Sequence, residues 1–236
     1  KHPISQEYNI MIIFDQGIMV KGDVDKIYRA TDEITKKKPI LLVLYSSGGS
    51  IASAYLIGKL LREHSEGKLS IVVPRLAKSS ATLLCCAADE LHMGSLSELG
   101  PIDPQIGQMP ALGLKNAVEH IAELSQRYKD ASKMLAEYLS KSLKVIDLGY
   151  YERVAESAWQ YAIRLLETHK DVLPRSHKAI ARHLVYNYMD HGFVIDKSEA
   201  QDIFGKKVVH PNTPEYQFGN SIYEFLSDVA FWADIN

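Results

Sequence analysis

Two kinds of hydrophobic pattern alternate through the first half of the chain. Besides a short strand expected at Glu90–Met93, Asn9–Phe14, Ile40–Tyr45 and Leu69–Val73 are short, largely apolar runs, Ile40–Tyr45 rich in branched residues. Such runs mark strands covered on both faces, as in parallel sheets. Between them the spacing becomes helical. Val24, Ile27, Tyr28, Ala30 and Ile34 share one face of a helix expected over Asp23–Thr35, and Lys36-Lys37-Lys38-Pro39 closes it. Ile51–His64 and the small-residue stretch Ser80–Ala88 are the next two helices. Strand and helix in turn predict an α/β fold with a mainly parallel sheet. Right-handed crossovers would bring the strand-to-helix junctions to one end of it, where such folds carry their sites.

The second half reads differently. Ser95–Pro110 is rich in glycine, proline and aspartate, so an irregular but ordered loop is expected. Leu112–Leu143 then carries one long helical stripe, and Tyr150–Thr168 and His177–Met189 add two helices separated near Pro174. A short helix at Lys197–Phe204, a strand-like Lys207-Val208-Val209 and an apolar, aromatic tail at Ile222–Trp232 complete the chain. The tail is expected to pack on this protein or on a neighbour. We read 1–236 as one domain: an α/β core over 1–110, a helical region over 111–190 and a C-terminal segment over 191–236. Periodicity leaves open whether the helical region is a lid, an oligomer interface or a packing layer.

Composition narrows the function classes. With 27 basic and 29 acidic residues in 236, the charge is nearly balanced, and no nucleic-acid partner is expected. Cys85 and Cys86 are adjacent within an apolar stretch, which reads as small buried side chains and not as a disulfide framework. With His92 alone nearby, no metal is expected. No run approaches the roughly 20 apolar residues of a membrane-spanning helix. The chain opens at Lys1 without Met, which fits a trimmed chain as well as one domain of a longer protein, and a membrane anchor outside these residues stays open. Cytoplasmic and membrane-associated locations are both compatible with this pattern.

The candidate chemistry sits at two strand-to-helix junctions. Ser46-Ser47-Gly48-Gly49-Ser50 exposes backbone N–H groups before a helix, but it has neither the spacing of a P-loop nor that of a dinucleotide fingerprint. A plain tight turn would look the same. The second junction, Lys78-Ser79-Ser80-Ala81, places a hydroxyl where the Ser80 N–H follows it. The Gly48 and Ser80 N–H groups would then form a two-donor oxyanion hole beside a Ser79 nucleophile. Helix capping is the ordinary alternative for both serines. Lys78 is read as solvated or at an interface, its side chain diverging from Ser79.

At these residues the chain resembles a known group. Ser-Gly-Gly before a helix, a serine about one α/β unit later, and Ala87-Ala88-Asp89-Glu90-Leu91-His92-Met93-Gly94 are similar to the Clp protease/crotonase superfamily. Leu99-Gly100-Pro101-Ile102-Asp103-Pro104-Gln105 narrows the resemblance to the serine dehydrogenase proteinase family, relatives of signal peptide peptidase A. It spans about Ile10–Glu119 and returns at His191–Val209.

The resemblance implies a Clp-type fold, a serine peptidase acting on peptide or protein substrates without a cofactor, a homo-oligomer and, in many members, a membrane anchor. By position Ser79 matches the nucleophile, and Gly48 and Gly49 match the glycine pair of the oxyanion strand. Two departures stand out. Ser80-Ala81 replaces the usual Ala-Gly, and Asp103 stands where Clp proteases carry their histidine. Signal peptide peptidase relatives use a lysine base, for which Lys115 is the candidate; a helix start and partial burial would both lower its pKa. His120 and His191 are the other possible bases, read here as structural. A crotonase-like coenzyme A ester enzyme and a non-catalytic, oligomerising scaffold are the alternatives. A serine at position 79 favours the peptidase over the first of these.

Overall fold

The computed structural model describes residues 2–106, 109–111, 113–142, 145–169 and 172–235. Its strands are β1 (Asn9–Asp15), β2 (Ile40–Ser46), β3 (Leu69–Val73), β4 (Leu76–Ala77), β5 (Glu90–Met93), β6 (Glu98–Leu99), β7 (Gln105–Ile106), β8 (Met109–Pro110), β9 (Ile195–Asp196) and β10 (Val209–Pro211). The helices are α1 (Ile4–Glu7), α2 (Lys21–Asp32), α3 (Ile51–His64), α4 (Ser80–Cys85), α5 (Gly113–Arg127), α6 (Ser132–Ser142), α7 (Val145–Leu166), α8 (His177–Tyr186), α9 (Lys197–Phe204) and α10 (Pro214–Ile235).

The sheet is mixed and mostly parallel, in the order β10-β5-β3-β2-β4-β6-β9, with β1 on the other edge of β2. It forks at β2. Ile40–Val43 pair with Leu69–Val72 of β3, whereas Ser46, at the end of the same strand, pairs with Ala77 of β4. The β4 branch continues through β6 to β9, whose antiparallel register sets Leu99 opposite Ile195.

Alternation along the strands sorts the core into two faces. Leu42, Leu44, Ile71 and Val73 pack with Ile57 and Leu61 of α3, Leu83 and Leu84 of α4, and Leu184 of α8, all buried. Leu41 and Val72 face the other way, against Ile4, Tyr8, Tyr216 and Phe218. Helix α10 approaches closely there: a Cβ on Gly219 would lie 2.6 Å from Val72 Cγ1. Arg62 on α3 ties the helical region to the core, paired with the Asp89 carboxylate while Nη2 donates to Thr168 O at 3.1 Å.

Some expected elements differ in extent. The helix expected at Asp23–Thr35 runs Lys21–Asp32, and the small-residue helix stops at Cys85, short of Ala88. The long helix expected over Leu112–Leu143 is broken: α5 ends at Arg127, Lys129–Ala131 form a 3₁₀ turn, and α6 resumes at Ser132. The two ends of that expected helix, Leu112 and Leu143, lie outside the described residues. The aromatic tail belongs to α10. There Tyr223 meets Tyr45 at 5.0 Å between ring centroids, with the Arg75 guanidinium 4.7 Å from its ring. Phe225, Phe231 and Trp232 on the same helix are exposed. No described helix is long and apolar enough to cross a membrane.

Candidate active site

Because Ser46 pairs with Ala77, the turns leaving β2 and β4 emerge side by side. The β4 turn carries Ser79 at φ 51°, ψ −117°, a conformation an L-residue adopts at a cost of about 1–3 kcal/mol. Such a strained strand-to-helix turn is the geometry that holds a nucleophile out of its own helix. Ser79 makes no side-chain cap on α4, so the capping alternative does not describe it. The Ser80 N–H, at the first helical position, meets no protein acceptor among the described residues. Ser80 Oγ is buried, also without a partner among them.

The β2 turn is pressed against Ser79. At Gly48, with φ 108°, a Cβ would sit 2.8 Å from Lys78 O, 2.9 Å from Ser79 Cβ and 3.2 Å from Ser80 N. Only glycine fits there. Gly49, with φ 143°, abuts the Met19 backbone, which donates its N–H to Gly48 O at 2.7 Å and accepts from Ser50 N at 2.8 Å.

These bonds correct one expectation. The Gly48 N–H does not face Ser79; it donates to Ser46 Oγ at 3.0 Å, and that hydroxyl donates to Asp15 Oδ2 at 2.9 Å. Gly49 N–H has no protein acceptor among the described residues. The unspent donors are therefore those of Gly49 and Ser80. Asp15 and Ser46, at strand ends, and Met19, in an isolated bridge to Gly49, lock the turn and carried no further signal in the sequence.

Ser79, Gly48 and Gly49 line a cleft of about 430 Å³ together with Gln105 and His191. His191 Nδ1 lies 3.6 Å from Asp103 Oδ2. Gln105 Nε2 bridges the two, 2.9 Å from that oxygen and 3.1 Å from Nδ1. Asp103 is largely buried and its Oδ1 is unpartnered among the described residues; burial raises its carboxyl above the ordinary range, while His191 and Gln105 pull the other way. The sequence offered Asp103 only as a histidine missing from its Clp position.

The lysines fall elsewhere. Lys115 lines a separate pocket with Glu152, Glu156 and Tyr186, its Nζ 4.0 Å from Glu119 and 3.9 Å from Glu152. His120, exposed on the same helix, is not among the residues of the Ser79 cleft. Lys78 is not among the residues lining the Ser79 cleft, and it is neither solvated nor idle. Its side chain is 15% exposed, with Nζ 3.2 Å from Leu99 O, 3.1 Å from Phe193 O and 3.3 Å from Glu98 Oε2. Cys85 and Cys86 are buried, and burial raises both thiols.

Residues 9–162 match the family model described as ClpP-like SDH-type serine proteinase. Two uncharacterized proteins of Methanocaldococcus jannaschii are 35% and 32% identical, each over 55% of this chain. The chain spans under half their length, 44% and 43%. Among solved structures, a membrane-bound stomatin-specific protease aligns over 86% of this chain in two mutant forms, one in complex with a substrate peptide. The TM-scores are 0.52 and 0.53, at 10% and 12% identity over 80% and 76% of those chains. ClpP1 from Listeria monocytogenes aligns over 88% of this chain and 94% of its own, with a TM-score of 0.50 at 11% identity. These structures share the fold.

Proposed function

Since the chain belongs to the ClpP-like SDH-type serine proteinase family, we propose that it cleaves peptide bonds through an acyl-enzyme on Ser79. Ser79 Oγ bonds to the carbonyl carbon, its proton passes to a base, and the carbonyl π electrons move onto oxygen. That oxyanion meets the N–H groups of Gly49 and Ser80. Collapse breaks the C–N bond, the amine leaves with a proton, and water then hydrolyses the ester by the same steps. Each donor is worth roughly 10²–10³ in rate when aimed at developing charge.

One observation carries this reading. Ser79 holds a strained conformation with its hydroxyl uncommitted to the helix, beside two backbone donors with no protein acceptor among the described residues. Ile18, Ile51 and Val154 line the same cleft, so an apolar side chain next to the scissile bond is favoured. Phe225, Phe231 and Trp232 on α10 supply exposed apolar surface for a homo-oligomer, expected as a multimer by light scattering. A strictly monomeric species at micromolar concentration would count against that part.

The test of the chemistry is a serine-reactive fluorophosphonate. It should modify the parent at Ser79 and leave Ser79→Ala unlabelled, while coenzyme A esters neither bind nor turn over. Saturable binding of a coenzyme A ester by an unlabelled parent would reverse the assignment in favour of crotonase-like chemistry.

A further inference from the structure

We infer that His191 is the general base for Ser79 and that Asp103 positions it. The inference rests on the reading of Ser79 as nucleophile, and it replaces the lysine expected in that role.

Three features of the structure point to it. His191 and Ser79 line one cleft, whereas Lys115 lines another, between Glu119 and Glu152. Lys115 Nζ is turned toward those carboxylates, 4.0 and 3.9 Å away, in a pocket that does not include Ser79. Second, His191 is 36% exposed, so Nε2 can reach a substrate-filled cleft while Nδ1 faces the interior at Asp103. Third, Asp103 Oδ1 is buried and unpartnered among the described residues, as befits a carboxylate kept for one task and not for a surface ion pair.

As a base His191 must carry its hydrogen on Nδ1 and leave the Nε2 lone pair open. The Nδ1–H then donates to Asp103 Oδ2. At 3.6 Å that contact is long, and catalytic hydrogen bonds commonly tighten only when substrate is bound. In this structure Gln105 Nε2 stands 3.1 Å from the same nitrogen. An amide N–H and a ring N–H cannot both point along one line, so the Gln105 amide withdraws as the ring engages the carboxylate. Nε2 takes the Ser79 proton during attack, and the imidazolium gives it to the departing amine. Asp103 is the charged group against the ring; along the same loop Asp190 accepts from Gly192 N, and Lys78, paired with Glu98, donates to the Phe193 carbonyl.

The experiment measures fluorophosphonate labelling rate against pH for the full chain and its variants, with circular dichroism confirming the fold of each. The parent rate should rise through the range in which imidazoles titrate, about pH 5–8. His191→Ala and His191→Gln should lose about 10²–10⁴ of the rate. Lys115→Ala should stay within about a factor of two of the parent, where a base would show the full loss. Asp103→Asn should be slower, with the pH limb moved to lower pH because the carboxylate no longer favours the imidazolium. A merely structural Asp103 would lower the rate without moving the limb. A labelled parent whose His191 variants keep its rate overturns the base assignment alone. A parent unlabelled at Ser79 overturns the peptidase reading with it.

Discussion

Gly49→Ala tests how the oxyanion turn is held. A Cβ at this position would lie 2.4 Å from Met19 O, 2.5 Å from Met19 N and 3.0 Å from Met19 C. All three are backbone atoms, so no side-chain rotation relieves the clash. Moving the Met19 backbone breaks two hydrogen bonds, Met19 N to Gly48 O and Ser50 N to Met19 O. At about 1 kcal/mol each they account for roughly 2 kcal/mol. Placing an L-residue at φ 143° adds about 1–3 kcal/mol. The expected loss is therefore about 3–5 kcal/mol, read by urea denaturation as a lower midpoint at unchanged slope. Since Gly49 N–H moves with the turn, fluorophosphonate labelling of Ser79 should also fall by about 10²-fold. Gly22→Ala is the internal comparison. Gly22 lies in α2 with nothing within 4 Å of the added Cβ, and alanine there should stabilise by a few tenths to about 1 kcal/mol, leaving labelling unchanged. If Gly49→Ala unfolds within about 1 kcal/mol of the parent and labels normally, the turn is not locked as described.

Two further outcomes follow from named contacts. His92 and Lys68 beside it hold the Glu90 carboxyl down to about 2, the buried His92 Nε2 approaching to 3.5 Å and Lys68 Nζ donating at 2.7 Å. A depressed carboxylate stabilises the fold above its ordinary value of 4.5, and the contribution drains away as pH falls toward about 2. It amounts to at most about 3 kcal/mol, less for the quarter of the side chain that stays in water. Urea titrations between those limits should flatten in Glu90→Gln, and an unchanged slope would refute the link. Lys78→Met keeps the stem against Gly100 and removes the bonds to Leu99 O, Phe193 O and Glu98. It should cost about 1–2 kcal/mol and slow Ser79 labelling several-fold, because the loop after His191 loses its tether. Stability and labelling both equal to the parent would return Lys78 to the solvated role first expected for it.

Strands β2 and β3 were legible in the sequence because each is an almost uninterrupted apolar run, and α3 matched at both ends. The break between α5 and α6 was not. No glycine or proline lies at the break, and Tyr128 leaves the helix at φ −119°, ψ 76° while the apolar stripe runs on past it. Ser79 and the glycine pair could be found because their surroundings are local. The direction of the Gly48 N–H could not, since it depends on a Ser46 hydroxyl oriented by Asp15 from a different strand. His191 met Asp103 only through folding: the β6–β9 pairing brings their segments together from distant parts of the chain, and periodicity has no reach across that distance.

The fork in β2 divides the site by timescale. The glycine turn and Ser79 stand at the ends of two adjacent strands, so their separation follows from one interstrand spacing of about 4.8 Å and from no loop at all. Amides in β2 and β3, buried in the ladder, should exchange with solvent only when the whole domain opens. Those of 190–194, held by a turn bond from Phe193 N to Asp190 O and by Lys78 on the Phe193 carbonyl, should exchange through small local openings. On the proposed assignment, the half that would receive the oxyanion is thus built into the sheet, and the half that carries His191 is held by a loop and its Lys78 tether.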